Sequence, residues 1–174
     1  MPNDTPPSTS GSSNKMWYII GGIVIILLLG WFATRGAGFL AMRAAGVNAT
    51  PNADGSATYS SSEGSVTVGG GSMPDNWPGD APANYTGASI QYSGSSNPQT
   101  GQAGSAVVYN VNASAQAVID YYKSELAKSG WTIEATANTG GATVLSAKKD
   151  TRTFGVYIVS TGTGAVSVTV GIGM

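Results

Sequence analysis

One run of 19 residues, Met16–Thr34 (MWYIIGGIVIILLLGWFAT), carries no charge and limits what this chain can fold into. As a helix rising 1.5 Å per residue it extends about 28 Å, close to the hydrocarbon thickness of a bilayer. Trp17 and Tyr18 stand at one end and Trp31 and Phe32 at the other, where amphipathic rings favour a membrane–water interface. Lys15 and Arg35 bracket the run. A buried core helix usually keeps a polar stripe, and residues 19–29 keep none. A cleavable signal peptide would need a basic start and a small-residue cleavage site. The leader MPNDTPPSTSGSSN is instead polar and carries Asp4. The expected partner of Met16–Thr34 is therefore a lipid bilayer, crossed once. With no Cys to carry a lipid, the helix is itself the expected anchor.

The rest of the composition excludes more than it proposes. The 174 residues carry a net charge of −1, so the basic footprint of a nucleic-acid binder is missing. Neither His nor Cys occurs, which removes the imidazole base, the thiolate nucleophile and the common zinc sites. Orientation is less sharply written. Lys15 precedes the apolar run and Arg35 and Arg43 follow it, which leans toward a cytoplasmic C-terminal side. Against this, no basic residue stands between Arg43 and Lys123, and the intervening Ser/Thr/Gly texture is that of an exported stalk. The expectation is an N-terminus in the cytoplasm and a C-terminal domain outside it.

Four segments follow from the pattern. Residues 1–14 are expected to be disordered. Residues 15–46 form the transmembrane helix and its extension, on which Ala33, Ala37 and Ala41 fall four apart. Such a stripe would let two helices associate weakly, although an Ala-rich helix explains it as well. Residues 47–72 read as a flexible linker in which 57–68 can close a short hairpin, too small to stand alone. Residues 73–174 form an α+β domain.

Within that domain Pro74, Pro78 and Pro82 disfavour helix and central strand, and Trp77 is placed to pin the segment to the body behind it. Ala88–Ser93 and Ala106–Val111 read as strands, the first with Ala88, Ile90 and Tyr92 on one face. A helix then opens at Ser114, buries Val118, Tyr122 and Leu126, and stops at Gly130. Four strands alternate in period two after it, among them Trp131–Ile133–Ala135 and Val166–Val168–Val170–Ile172. The expected fold class is α+β: a transmembrane helix plus a small antiparallel sheet packed on one helix, in the order ββαββββ.

No constellation of residues reads as catalytic, cofactor-binding or metal-binding, so the chain is expected to be no enzyme and to need no cofactor. Asp75 and Asp80 lack the alternating ligands of a calcium loop and read as solvated turn formers. Lys148, Lys149 and Arg152 gather at a hairpin tip, where a phosphate could sit but a solubility role is the simpler one. Gly162 and Gly164 are followed by no helix and make no dinucleotide site. Tyr85, Tyr92, Tyr109, Tyr121, Tyr122 and Tyr157 suggest a carbohydrate or peptide surface, with packing the default for those on core-facing positions.

The motifs PDNWPGDAP, Tyr85-Thr86-Gly87-Ala88 and AVIDYYKSELAKSGWTI, in that order, resemble a recurrent bacterial domain of membrane-anchored or lipid-anchored envelope proteins. The likeness covers residues 73–174, departs at Thr86 where that family favours Pro, and implies no assigned chemistry. The expected function is thus an envelope protein, anchored once in the membrane, that displays a non-catalytic binding or structural module to an unknown envelope component. The alternative is a filament or surface-layer subunit whose apolar helix packs in a fibre core.

Overall fold

A computed structural model describes residues 46–62, 64–69, 71–96, 103–162 and 164–174. Nine strands, β1 (Asn48–Pro51), β2 (Ala57–Ser61), β3 (Gly64–Val68), β4 (Ser89–Ser96), β5 (Gly104–Val111), β6 (Thr132–Thr139), β7 (Ala142–Lys149), β8 (Arg152–Ser160) and β9 (Val166–Gly173), form one sheet. Its order is β1-β2-β3-β4-β5-β9-β8-β7-β6, antiparallel at every pairing. Among the described residues one helix, α1 (Ala115–Lys128), carries the chain from β5 to the far edge, from which β6–β9 return as a meander.

The expected fold class is corrected by this arrangement. The sheet holds nine strands rather than six, because Asn48–Val68 adds three: β3 pairs along β4, with Val68 opposite Tyr92. A hairpin too small to stand alone gains its missing hydrogen bonds from a sheet edge. The single-pass membrane reading is corrected as well. Among the described residues no helix is long and apolar enough to cross a membrane. Met16–Thr34, the Ala33, Ala37 and Ala41 stripe and the leader 1–14 lie outside the described residues. The helix that is described has 14 residues and a polar face, and it packs on the sheet.

Local chemistry explains α1. Ser114 accepts a hydrogen bond from the Ala117 N–H, and Val118, Ile119, Tyr122 and Leu126 line the buried stripe. At the other end Gly130 takes φ +76°, its N–H donates to the Ala127 carbonyl, and the Trp131 N–H reaches back to Leu126. That pair of bonds satisfies carbonyls the helix leaves open, and it needs a residue at ease in the left-handed region. Trp131 is thereby turned back onto the core.

Period-two patterning sends Val107, Tyr109 and Val111 of β5, Phe154, Val156 and Ile158 of β8, and Val166, Val168, Val170 and Ile172 of β9 to the face under α1. Two strands depart from it. The register slips between Ile90 and Tyr92 in β4 and between Ile133 and Ala135 in β6. Each bulge spends one residue and turns the remainder of its strand over. Ile90 thus stands opposite buried Tyr109, whereas Tyr92 stands opposite Val108 on the other face. The expected common face of Ile90 and Tyr92 is corrected accordingly.

At the centre the hydroxyls of Tyr109 and Tyr122 bond each other at 2.9 Å, and Tyr109 also accepts the Tyr85 N–H at 3.4 Å. Burial pushes the Tyr109 phenol up to about 12 and raises that of Tyr122 further, so both stay neutral donors and acceptors. Tyr109→Phe is expected to cost about 2 kcal/mol, because it strands two partners, and Tyr122→Phe about 1 kcal/mol. Urea denaturation of the two variants measures the order.

Candidate functional site

Residues 73–88 lie across the core face as a strap. Two successive turns, closed by Trp77 N–H to Pro74 and Ala81 N–H to Pro78, repeat every four residues and point Met73, Trp77, Ala81 and Tyr85 at the core. Trp77 meets Phe154 edge-on at 6.3 Å. Its buried Nε1–H finds no partner among the described residues, a cost that burial of the large ring offsets. Asn76 accepts a hydrogen bond from the buried Ser105 hydroxyl at 2.8 Å.

The strap is locked at Asp80. Its carboxylate takes both arms of the Arg152 guanidinium, each at 2.7 Å, and the Lys149 ammonium at 2.7 Å. Lys149 also donates to the Ser129 carbonyl, and the Trp131 indole N–H donates to the Asp80 carbonyl at 2.8 Å. Arg152 lies over the Trp131 ring, 5.1 Å from its centroid. The expected solvated roles of Asp80 and of the Lys149–Arg152 pair are therefore corrected: they are partners of one another. Separation in sequence hid this, since Asp80 and Arg152 are 72 residues apart. Both oxygens of the Asp80 carboxylate are engaged by the two cations, so its role here is to anchor the strap.

The bidentate Arg152 contact, with Lys149, holds the Asp80 carboxyl well below the usual carboxylate range. A lowered folded-state value stabilises above the unfolded value near 4 and is lost as pH falls through the folded one. The side chain is 38 % exposed, so solvent screens part of the effect. Asp80→Asn is expected to melt below the wild type at pH 7, with the gap closing as pH drops beneath about 4. Paired thermal melts across that range check it.

Beside the clamp, Gly130, Thr132, Glu134, Lys148, Lys149 and Asp150 line a shallow, solvent-open cleft of about 450 Å³. Its charges are mixed and Lys149 is already committed to Asp80. Among the described residues no group of acidic side chains comes together in a metal-binding arrangement.

Among the described residues, the opposite face of the sheet carries no helix. Register places on it a row of Val68, Tyr92, Val108, Thr169, Tyr157 and Val144, one residue per strand from β3 to β7. The next row is small throughout its centre: Gly94, Ala106, Gly171, Gly155 and Ser146. Tyr59 joins this row at the β2 end through its pairing with Val66. The tyrosines thus separate. Tyr85, Tyr109, Tyr121 and Tyr122 pack on the core side, and Tyr59, Tyr92 and Tyr157 stand on the open one. Tyr157 is 46 % exposed and Val159 36 %. The charges of this face gather at its β6–β7 rim, where Lys148 lines the cleft together with Glu134 at the β6 bulge.

Two glycines of the small row differ in cause. A Cβ on Gly94 would come within 2.9 Å of the Ser65 carbonyl oxygen, so the close approach of β3 demands glycine there. A Cβ on Gly155 would meet nothing within 4 Å, and its φ lies outside the left-handed region. Gly155 sits in a central strand, where glycine costs roughly 0.5–1 kcal/mol against alanine. No contact within the described fold requires it. A glycine in a strand interior often marks a place where a ligand or another backbone approaches closely.

Comparison with known proteins is sparse. The profile of an uncharacterised family described as START domain-like matches residues 90–165, from β4 to the turn before β9. The match spans α1 and the strands from β4 to β8, leaves out β1–β3 and β9, and carries nothing about bacterial origin or a membrane anchor. No curated protein and no solved structure gives a significant match.

Proposed function

We propose that this protein is a non-catalytic recognition module that binds through the open sheet face, with Gly155 and Tyr157 at the point of closest contact. The carrying observation is Gly155, a strand glycine with open space above it, two residues from an exposed tyrosine on the same face. The composition of the face fits that role. Tyrosine supplies broad contact area at low entropic cost, while Ser, Gly, Thr and Asn adapt to polar groups. The ionic cluster around Asp80 is consumed in holding the strap. The likeness of residues 73–174 to envelope-protein domains supports an extracytoplasmic setting for the module.

A photo-crosslinking residue in place of Tyr157 is expected to capture a product that the same residue in place of Gln116, exposed on α1, does not. Identical products from both positions overturn the reading. Gly155→Val serves as the companion test. It is expected to unfold at a urea concentration no lower than the wild type, since it removes the glycine penalty of roughly 0.5–1 kcal/mol. Combined with the probe at position 157, it is expected to abolish the specific product.

A further inference from the structure

The geometry points to a neutral, hydroxyl-rich polysaccharide as the occupant of the open face, lying across the strands from Tyr92 to Tyr157, with the sugar ring on Tyr157 overhanging Gly155. This rests on the reading of that face as the recognition surface and supplies the chemistry of its ligand.

Charge comes first. The interior of the face is built from Tyr92, Val108, Thr169, Tyr157, Val144, Ser146 and small residues, with Lys148 and Glu134 confined to the cleft at the rim. A charged ligand would be stripped of water there with nothing to pair it. An extended peptide meets a different obstacle. Backbone donors and acceptors of a sheet point along its plane, into neighbouring strands, so a face offers a peptide main chain no ladder to join. An acyl chain would need an enclosed apolar cavity, yet the space under α1 is filled by Tyr109, Tyr122, Leu126 and Leu145, all fully buried.

A neutral sugar polymer matches what is left. Each ring has an apolar C–H face, which the electron-rich face of a phenol attracts, and a girdle of hydroxyls. Thr169, Ser146 and Ser167 add hydroxyls on the same face, and Asn110 an amide, each able both to donate and to accept. Tyr92 on β4 and Tyr157 on β8 are separated by three strand spacings, about 14 Å. The ligand therefore has to be a chain rather than a single ring to touch both. The row Gly94, Ala106, Gly171, Gly155 runs parallel to that line, perpendicular to the strands, and Gly155 leaves its part of the floor without a side chain.

Affinity electrophoresis of the full chain tests this, with dextran, xyloglucan or hydroxyethylcellulose dissolved in the gel and alginate or polygalacturonate in parallel gels. The expected result is retardation by at least one neutral polymer and none by the anionic ones. Tyr157→Phe is expected to stay retarded, because stacking needs the ring. Tyr157→Ala and Gly155→Val are each expected to weaken the apparent association roughly tenfold. Migration unchanged in every neutral polymer overturns the proposal, as does equal retardation by the anionic ones. Should the probe at position 157 capture a protein while no polysaccharide slows the chain, the sugar assignment falls and the face reading stands. Retardation by a neutral polymer that both Gly155→Val and Tyr157→Ala leave untouched overturns the two together.

Discussion

The pairing of β5 with β9 holds this molecule together. Strands β1–β5 precede the helix and β6–β9 follow it, and the two halves share one sheet only because Gly104–Val111 lies antiparallel to Val166–Gly173. Val107 opposite Val170, Tyr109 opposite Val168 and Val111 opposite Val166 make that seam an apolar column under α1 and the strap. Closing so long a loop has an entropic cost that grows only slowly with its length. Burial of these apolar side chains, at roughly 1.5–3 kcal/mol each, is of the size needed to offset it. Without the seam, α1 would cover half a sheet and the strap would have no floor.

Once the seam exists, the two faces of the sheet take up different work. One face is crowded with aromatic and branched side chains and is covered twice, by α1 and by 73–88. The Asp80 clamp shows how covering by an irregular segment is made firm. A strap of turns has few backbone bonds to the sheet, so Asp80, Trp131, Lys149 and Arg152 supply directional contacts in their place. The other face spends its tyrosines outward and keeps its centre small. Gly155 marks the difference, since nothing on the covered side and nothing beside it in the sheet accounts for its missing side chain.

Legibility followed the range of the interaction. The helix could be read from Ser114, from the spacing of Val118, Tyr122 and Leu126, and from Gly130, because caps and stripes act over a few residues. The strands after it could be read from alternation, down to Val166–Ile172. Alternation failed where a bulge intervened: nothing near Gln91 or Glu134 announces the slip that turns Tyr92 away from Ile90, or Ala135 away from Ile133. The candidate site was half legible. Tyr92 and Tyr157 stood out as surface candidates beside tyrosines that prove to be core, and Tyr59 and Gly155 went unremarked. An isolated glycine in a strand was the available signal, and it acquires meaning only when the space above it is known.

What the amino-acid order determined by itself was local: one amphipathic helix with both its ends, the turn-rich strap with Trp77 facing inward, the alternating strands, and the absence of imidazole and thiol chemistry. Each depends on residues within a turn or two of one another. Tertiary structure alone decided that Asn48–Val68 extends the sheet, that Asp80 meets Arg152, and that three tyrosines share a face with an unfilled glycine. Those outcomes depend on which strands lie side by side, and hydrogen-bond pairing between distant segments leaves no periodic trace in either segment alone.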